Sequence, residues 1–172
     1  MNKKNNYART NTLTKSGTRM KFGTHSEGIH SVDFGTNYVG KKILLDTNFL
    51  LAIYQFRIDI FTQIDRILTF PYRIFILDRT LEELKKIVKG QKGKNRDAAK
   101  IALKLIAIKN VGIVKTKSDK KTDDVIIDLS SKNHYIVATQ DKDLKRRLIN
   151  QGIEVIVLRQ KRILAIVNDK GF

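Results

Sequence analysis

From Lys41 onward, short aliphatic runs alternate with segments whose apolar residues recur every three or four positions. Lys42–Asp46 reads as a buried strand. Asn48–Phe70 reads as helical, with Phe49, Ile53, Phe56, Ile60, Ile64 and Leu68 at helical spacing and a break near Arg57-Ile58-Asp59. Pro71, the only proline, ends that segment before a strand at Arg73–Leu77. A helix over Leu81–Lys89 follows, then a basic, glycine-containing loop from Lys89 to Arg96. The pattern continues with helix Asp97–Lys109, strand Gly112–Lys115, helix Asp124–Lys132, strand Tyr135–Ala138, helix Lys142–Asn150 and strand Val155–Leu158. Short buried strands alternating with helices predict an α/β domain of three layers, α/β/α, with a mainly parallel sheet over about residues 41–160. Right-handed crossovers follow from strand twist. The tail Gln160–Phe172 carries Ile163-Leu164-Ala165-Ile166-Val167 and is expected to form a final helix capping the sheet.

Residues 1–40 break the pattern. They are rich in Asn, Thr, Ser, Gly and Lys, and Lys3, Lys4, Arg9, Lys15, Arg19 and Lys21 face only Glu27 and Asp33. Two readings stand side by side: a disordered solubilising arm, and a basic arm that folds along RNA or a particle surface. The whole chain of 172 residues carries a net charge of +17, which calls for an anionic partner. On charge alone RNA, DNA, ribosomal particles and acidic membranes all qualify. No apolar run is long enough for a membrane span, and Met1-Asn2-Lys3-Lys4-Asn5-Asn6 lacks the apolar stretch of a secretory signal. With no cysteine, disulfides and thiolate metal sites are excluded.

Four acids occupy equivalent places in successive units. Asp46 ends the first strand, Glu83 lies in the first turn of the helix after the second, Asp123 opens the helical pattern after Val111–Thr116, and Asp141 follows Tyr135–Thr139. In a parallel sheet these junctions share one edge, so the carboxylates meet there. Clustered carboxylates repel one another unless a cation is present, which predicts a hard divalent metal, Mg²⁺ or Mn²⁺. Each acid taken singly is more readily a helix cap than a ligand. Asp46 precedes Thr47-Asn48, Thr80-Leu81-Glu82-Glu83 has the form of a capping box, and Asp123 and Asp141 stand at helix starts. Four acids on one edge are a pattern that capping explains only piecemeal, and the two roles coexist, because helix N-termini offset negative charge.

These residues carry a resemblance. Leu44-Leu45-Asp46-Thr47-Asn48-Phe49-Leu50 resembles the first motif of PIN-domain nucleases, a VapC-like superfamily. Thr80–Ile87 is similar to the helix of the second acid, and Thr122-Asp123-Asp124-Val125-Ile126 to the third motif. Tyr135–Leu148 resembles the fourth motif, above all in the branch of the eukaryotic small-subunit processome endonuclease and its archaeal relatives. The resemblance implies metal-dependent cleavage of RNA, leaving a 5′-phosphate and a 3′-hydroxyl. It implies that Asp46, Glu83, Asp123 and Asp141 form the acidic site. Asp46 and Asp123 hold the metal most directly, and Glu83 and Asp141 complete the shell through waters. Helix phase favours Glu83 over its neighbour Glu82. Asp124 and Asp143 are solvated helix residues by default, with Asp143 a candidate addition to the metal shell. Thr139 and Asn48 are candidates for positioning water. Lys145, Arg146 and Arg147, about one helical turn past Asp141, and Lys92 and Lys94 in the basic loop are weaker RNA-binding candidates, each equally readable as a solvated face. His25, His30 and His134 are isolated and receive no role.

The preferred reading is an endoribonuclease of ribosomal RNA maturation, acting in the cytoplasm of a prokaryote or the nucleolus of a eukaryote. The alternatives are a toxin ribonuclease of a toxin–antitoxin pair and a catalytically silent RNA-binding component of a ribonucleoprotein. RNA, as rRNA or a ribonucleoprotein particle, is the expected partner, and a membrane is not. A homodimer stays open, and an antitoxin enters only with the toxin reading.

Overall fold

The computed structural model describes residues 40–168. The extension expected over 1–40, with His25 and His30, lies outside them apart from Gly40. The described residues run β1 (Lys41–Leu45), α1 (Thr47–Phe56), α2 (Ile60–Ile67), β2 (Tyr72–Leu77), α3 (Asp78–Gly90), α4 (Lys94–Ile108), β3 (Gly112–Val114), α5 (Thr122–Asn133), β4 (Tyr135–Ala138), α6 (Lys142–Ile149), β5 (Val155–Arg159) and β6 (Ile163–Val167).

The strands lie in the order β3-β2-β1-β4-β5-β6. The first five are parallel, and β6 runs antiparallel to β5. Because side chains alternate across a strand, β1 feeds two cores. Ile43 and Leu45 pack with Phe49, Ile64, Leu84 and Ala102 of α1 to α4. Leu44 packs on the other face with Ile126, Leu144 and Leu148 of α5 and α6. The result is the expected three-layer α/β/α fold. The break in the first helical segment also falls where the pattern placed it. Arg57 is left-handed at φ 52, and Asp59 caps α2 by accepting from the Thr62 N–H at 3.1 Å.

Three expectations need correction. The tail after Arg159 is a strand, not a capping helix. Five consecutive apolar residues fit either element, and the deciding feature is a tight turn. Gln160 and Lys161 are both left-handed, at φ 50 and 56, and the Arg162 N–H donates to the Arg159 carbonyl at 3.0 Å. Neither residue is a usual supplier of that conformation, so the sequence shows no turn. Gln63 of α2 then clamps the hairpin, donating to the Arg162 carbonyl at 2.7 Å and accepting from the Leu164 N–H at 2.8 Å.

The basic loop expected over Lys89–Arg96 shrinks to Gln91-Lys92-Gly93, because α4 already starts at Lys94, with Gly93 at φ 67 as its N-cap. Finally, α3 starts at Asp78 rather than Leu81. Thr80 therefore sits inside the first turn, fully buried, its hydroxyl without a hydrogen-bond partner among the described residues, and the capping-box reading of Thr80–Glu83 fails.

Candidate active site

The parallel pairing of β1 with β4 sets Leu45 opposite Ala138. The next residue on each strand is therefore brought alongside the other: Asp46 after β1 and Thr139 after β4. The Asp46 N–H donates to the Ala138 carbonyl at 3.0 Å, and the Thr139 hydroxyl donates to Asp46 Oδ2 at 2.9 Å. Asp46 Oδ1 accepts from the Thr47 N–H at 2.7 Å and so caps α1. Asp141 caps α6 in the same manner, Oδ1 accepting from the Asp143 and Leu144 N–H groups at 2.8 and 2.9 Å. Its own N–H donates to Thr139 Oγ1 at 3.0 Å. One buried threonine thus ties the two acidic caps together.

The other two acids are not caps. Glu83 lies in the second turn of α3 and accepts from the Thr47 hydroxyl at 2.7 Å. Asp123 sits in the first turn of α5, whose N-cap, Lys121, makes no side-chain capping bond. Capping accounts for half of the acidic set and leaves Glu83 and Asp123 unexplained as structural residues.

All four carboxylates line one cavity of about 460 Å³ at the carboxyl edge of the sheet, together with Thr47, Asn48, Thr122, Glu82, Arg79 and Lys86. Their electrostatics follow from crowding and burial. Asp46 is pushed up to about 6, first by burial and then by the charges of Asp123 and Glu83, against the lowering effect of the Thr139 and Thr47 hydrogen bonds. Asp123 is also raised, by burial and then by Asp141, while Arg147 offsets part of the effect. Burial first, and mutual repulsion after it, leave these carboxylates under-compensated by positive charge. The donor set is all carboxylate oxygen, the chemistry a hard divalent cation takes. In this conformation, no three His, Asp or Glu side chains among the described residues come close enough to share one ion.

The remaining sequence candidates fall elsewhere. Asp143 is exposed and pairs with Arg146 at 3.1 Å, and Arg147 pairs with Asp124. Lys145 is half-buried on α6 and does not line the cavity. Lys92 is exposed in the α3–α4 link. Lys94 lines a different cavity, between α1, α2 and α4, with Ile53, Tyr54 and Ile101.

The sequence pattern did not single out Arg79 and Lys86. With Glu82 and Glu83 they form one face of α3, at the spacing of residues that stack along a helix. Placing the helix start at Asp78 would have revealed it.

Comparison with known proteins agrees with this fold. Residues 43–161 match the family of PIN-like domains. Ribonuclease VapC4 of Methanocaldococcus jannaschii is 35% identical over 126 residues, covering 73% of this chain and 95% of that protein. Ribonuclease VapC9 of Archaeoglobus fulgidus is 31% identical over 139 residues, covering 80% of this chain and 98% of that protein. Among solved structures, the PIN domain endonuclease Utp24 is similar with a TM-score of 0.61 and 26% identity, over 73% of this chain and 90% of that one.

Proposed function

Because the chain belongs to the PIN-like domain family, we propose that it is a divalent-metal-dependent endoribonuclease. The observation that carries this reading is Asp46: buried, hydrogen-bonded in place, and raised to about 6 in a cavity it shares with the carboxylates of Glu82, Glu83, Asp123 and Asp141. Such a cluster is costly to keep unless a cation occupies it in the working state. Asp46 and Asp123 are the residues proposed to hold the cation, with Glu83 and Asp141 completing the shell. A bound Mg²⁺ or Mn²⁺ supplies an acidified water and charge neutralisation at the phosphate. Thr139 fixes the Asp46 carboxylate against the backbone N–H of Asp141, and the Thr47 hydroxyl donates to Glu83. Burial of Asp46 keeps bulk water from one side of the site.

The proposed substrate is RNA, with ribosomal RNA maturation the preferred setting, supported by the likeness to the Utp24 endonuclease. A toxin ribonuclease of a toxin–antitoxin pair is the second reading, and the two VapC-named relatives favour it. The test is cleavage of end-labelled RNA by the full chain in Mg²⁺ or Mn²⁺, with a chelator and the Asp46→Asn variant as controls. Internal cuts that need the metal and vanish in the variant are expected. A folded wild-type chain that leaves RNA intact in both metals, or a variant that cuts as well as wild type, would end the proposal. Mapping the cuts on precursor ribosomal RNA against tRNA and mRNA then separates the two settings.

A further inference from the structure

Arg79 stands on the rim of the acidic cavity yet forms no ion pair with any carboxylate among the described residues. Its guanidinium is nevertheless fixed. Nε donates to the Thr116 hydroxyl at 3.1 Å, and Nη1 donates to the Lys120 carbonyl. The Thr116 hydroxyl has one proton, which it gives to Asp78 Oδ1 at 2.6 Å, and the Thr116 N–H donates to Asp78 Oδ2 at 2.9 Å. With its proton committed to Asp78, the Thr116 oxygen has only lone pairs to offer Arg79, so the direction of the relay is set. Burial raises the Asp78 carboxyl, but the Thr116 and Arg79 hydrogen bonds outweigh it and hold it below its ordinary value, ionised and accepting. The relay orients a cation without neutralising it by direct contact. Nη2 donates to no group among the described residues.

We propose that Arg79 anchors an RNA backbone phosphate beside the scissile one, presented to the cavity by the Asp78–Thr116 relay. This rests on the ribonuclease reading and adds a binding residue to it. An RNA strand entering a cavity lined by five carboxylates meets repulsion, and a rim cation offsets it. A guanidinium with two N–H groups held and Nη2 open is already arranged for phosphate, which guanidinium groups grip with directed, paired hydrogen bonds. Lys86 lies about two turns further along the same helix face, exposed, and Glu82 and Glu83 lie between the two cations. The competing role is a staple that only ties α3 to the segment before α5.

The test measures binding of a fluorescent single-stranded RNA oligonucleotide to the full chain. The background is Asp46→Asn, so that cleavage does not interfere. Arg79→Gln and Arg79→Lys are compared with Lys104→Gln, which removes an exposed charge on α4. Both Arg79 substitutions are expected to weaken binding about tenfold or more, the effect of losing a charge-assisted hydrogen bond, and Lys104→Gln far less. In the otherwise wild-type chain, the Arg79 variants should raise KM with kcat little changed. Arg79→Lys keeps the charge and carries the test if Arg79→Gln fails to fold. Arg79 variants that bind like Lys104→Gln, or that lower kcat at unchanged KM, would overturn the anchoring role. Cleavage by the unsubstituted chain, measured separately, keeps that outcome distinct from failure of the ribonuclease reading.

Discussion

The Thr139 hydroxyl donates to Asp46 Oδ2 at 2.9 Å and at the same time accepts the Asp141 N–H at 3.0 Å. Fully buried, it is the side chain that the neighbouring ends of β1 and β4 share. Removing the hydroxyl strips Asp46 of the hydrogen bond that most lowers its pKa. Thr139→Val is therefore expected to move the acid limb of the pH–activity profile upward and to cost about 1–3 kcal/mol of stability at neutral pH. Thr139→Ser should restore both. An unmoved acid limb in the valine variant would refute this role.

Asp46 is expected to make the metal-free fold less stable at neutral pH. The folded chain holds the Asp46 proton up to about pH 6, the unfolded chain only to about pH 4. Folding takes up a proton between those values, so stability falls as pH rises through that window, by about 3 kcal/mol in all. Asp46→Asn removes this penalty. With the chelator present at pH 7, the variant should melt at a higher temperature than wild type, and the gap should close as the pH is lowered towards 4. A variant less stable than wild type at pH 7 would contradict the origin assigned to the shift.

Protons and metal compete for the same carboxylates. Below about pH 6 the metal-free site takes up a proton at Asp46, so cleavage at low metal concentration should decline as the pH falls through that value. Raising Mg²⁺ or Mn²⁺ should carry the midpoint to lower pH, because the cation favours the ionised carboxyl. Profiles at several metal concentrations check this, and a midpoint that ignores metal concentration would rule the competition out.

Gln63 holds the β5–β6 hairpin by two hydrogen bonds from one amide. Gln63→Leu should cost about 1–3 kcal/mol, because it leaves the Leu164 N–H and the Arg162 carbonyl without their partner. Hydrogen exchange should quicken at Leu164, with protection at Val137 in β4 retained. Equal protection at Leu164 in both proteins would show that the hairpin stands without the clamp.

The layered fold and the acidic edge were readable in the sequence because both depend on local signals. Continuous apolar runs such as Ile43-Leu44-Leu45 mark strands buried on both faces, and Asp46 and Asp141 stand just past the ends of those strands. What escaped depended on backbone conformation with no residue signature. Gln160-Lys161 turns left-handed without glycine or asparagine, so nothing in the sequence separates β6 from a helix. The start of α3 at Asp78 has no side-chain capping bond to mark it. That misplacement hid Arg79, whose partners Thr116 and Lys120 lie on the far side of α4 and β3 in sequence and meet it only through the sheet. Arg146 and Arg147, plausible RNA contacts by charge, turned out to be paired with Asp143 and Asp124.

The hydrogen bond from Thr139 to Asp46 joins residues 93 positions apart, and it exists only because β4, made late, inserts beside β1, made early. A ribosome releases the chain from its N-terminus. Asp46 is therefore made 93 residues before Thr139, and Asp141 follows Thr139. No nascent chain that stops before Asp141 contains the full acidic set. The acidic set is thereby a late product of synthesis, complete only once β4 has been made and has paired with β1.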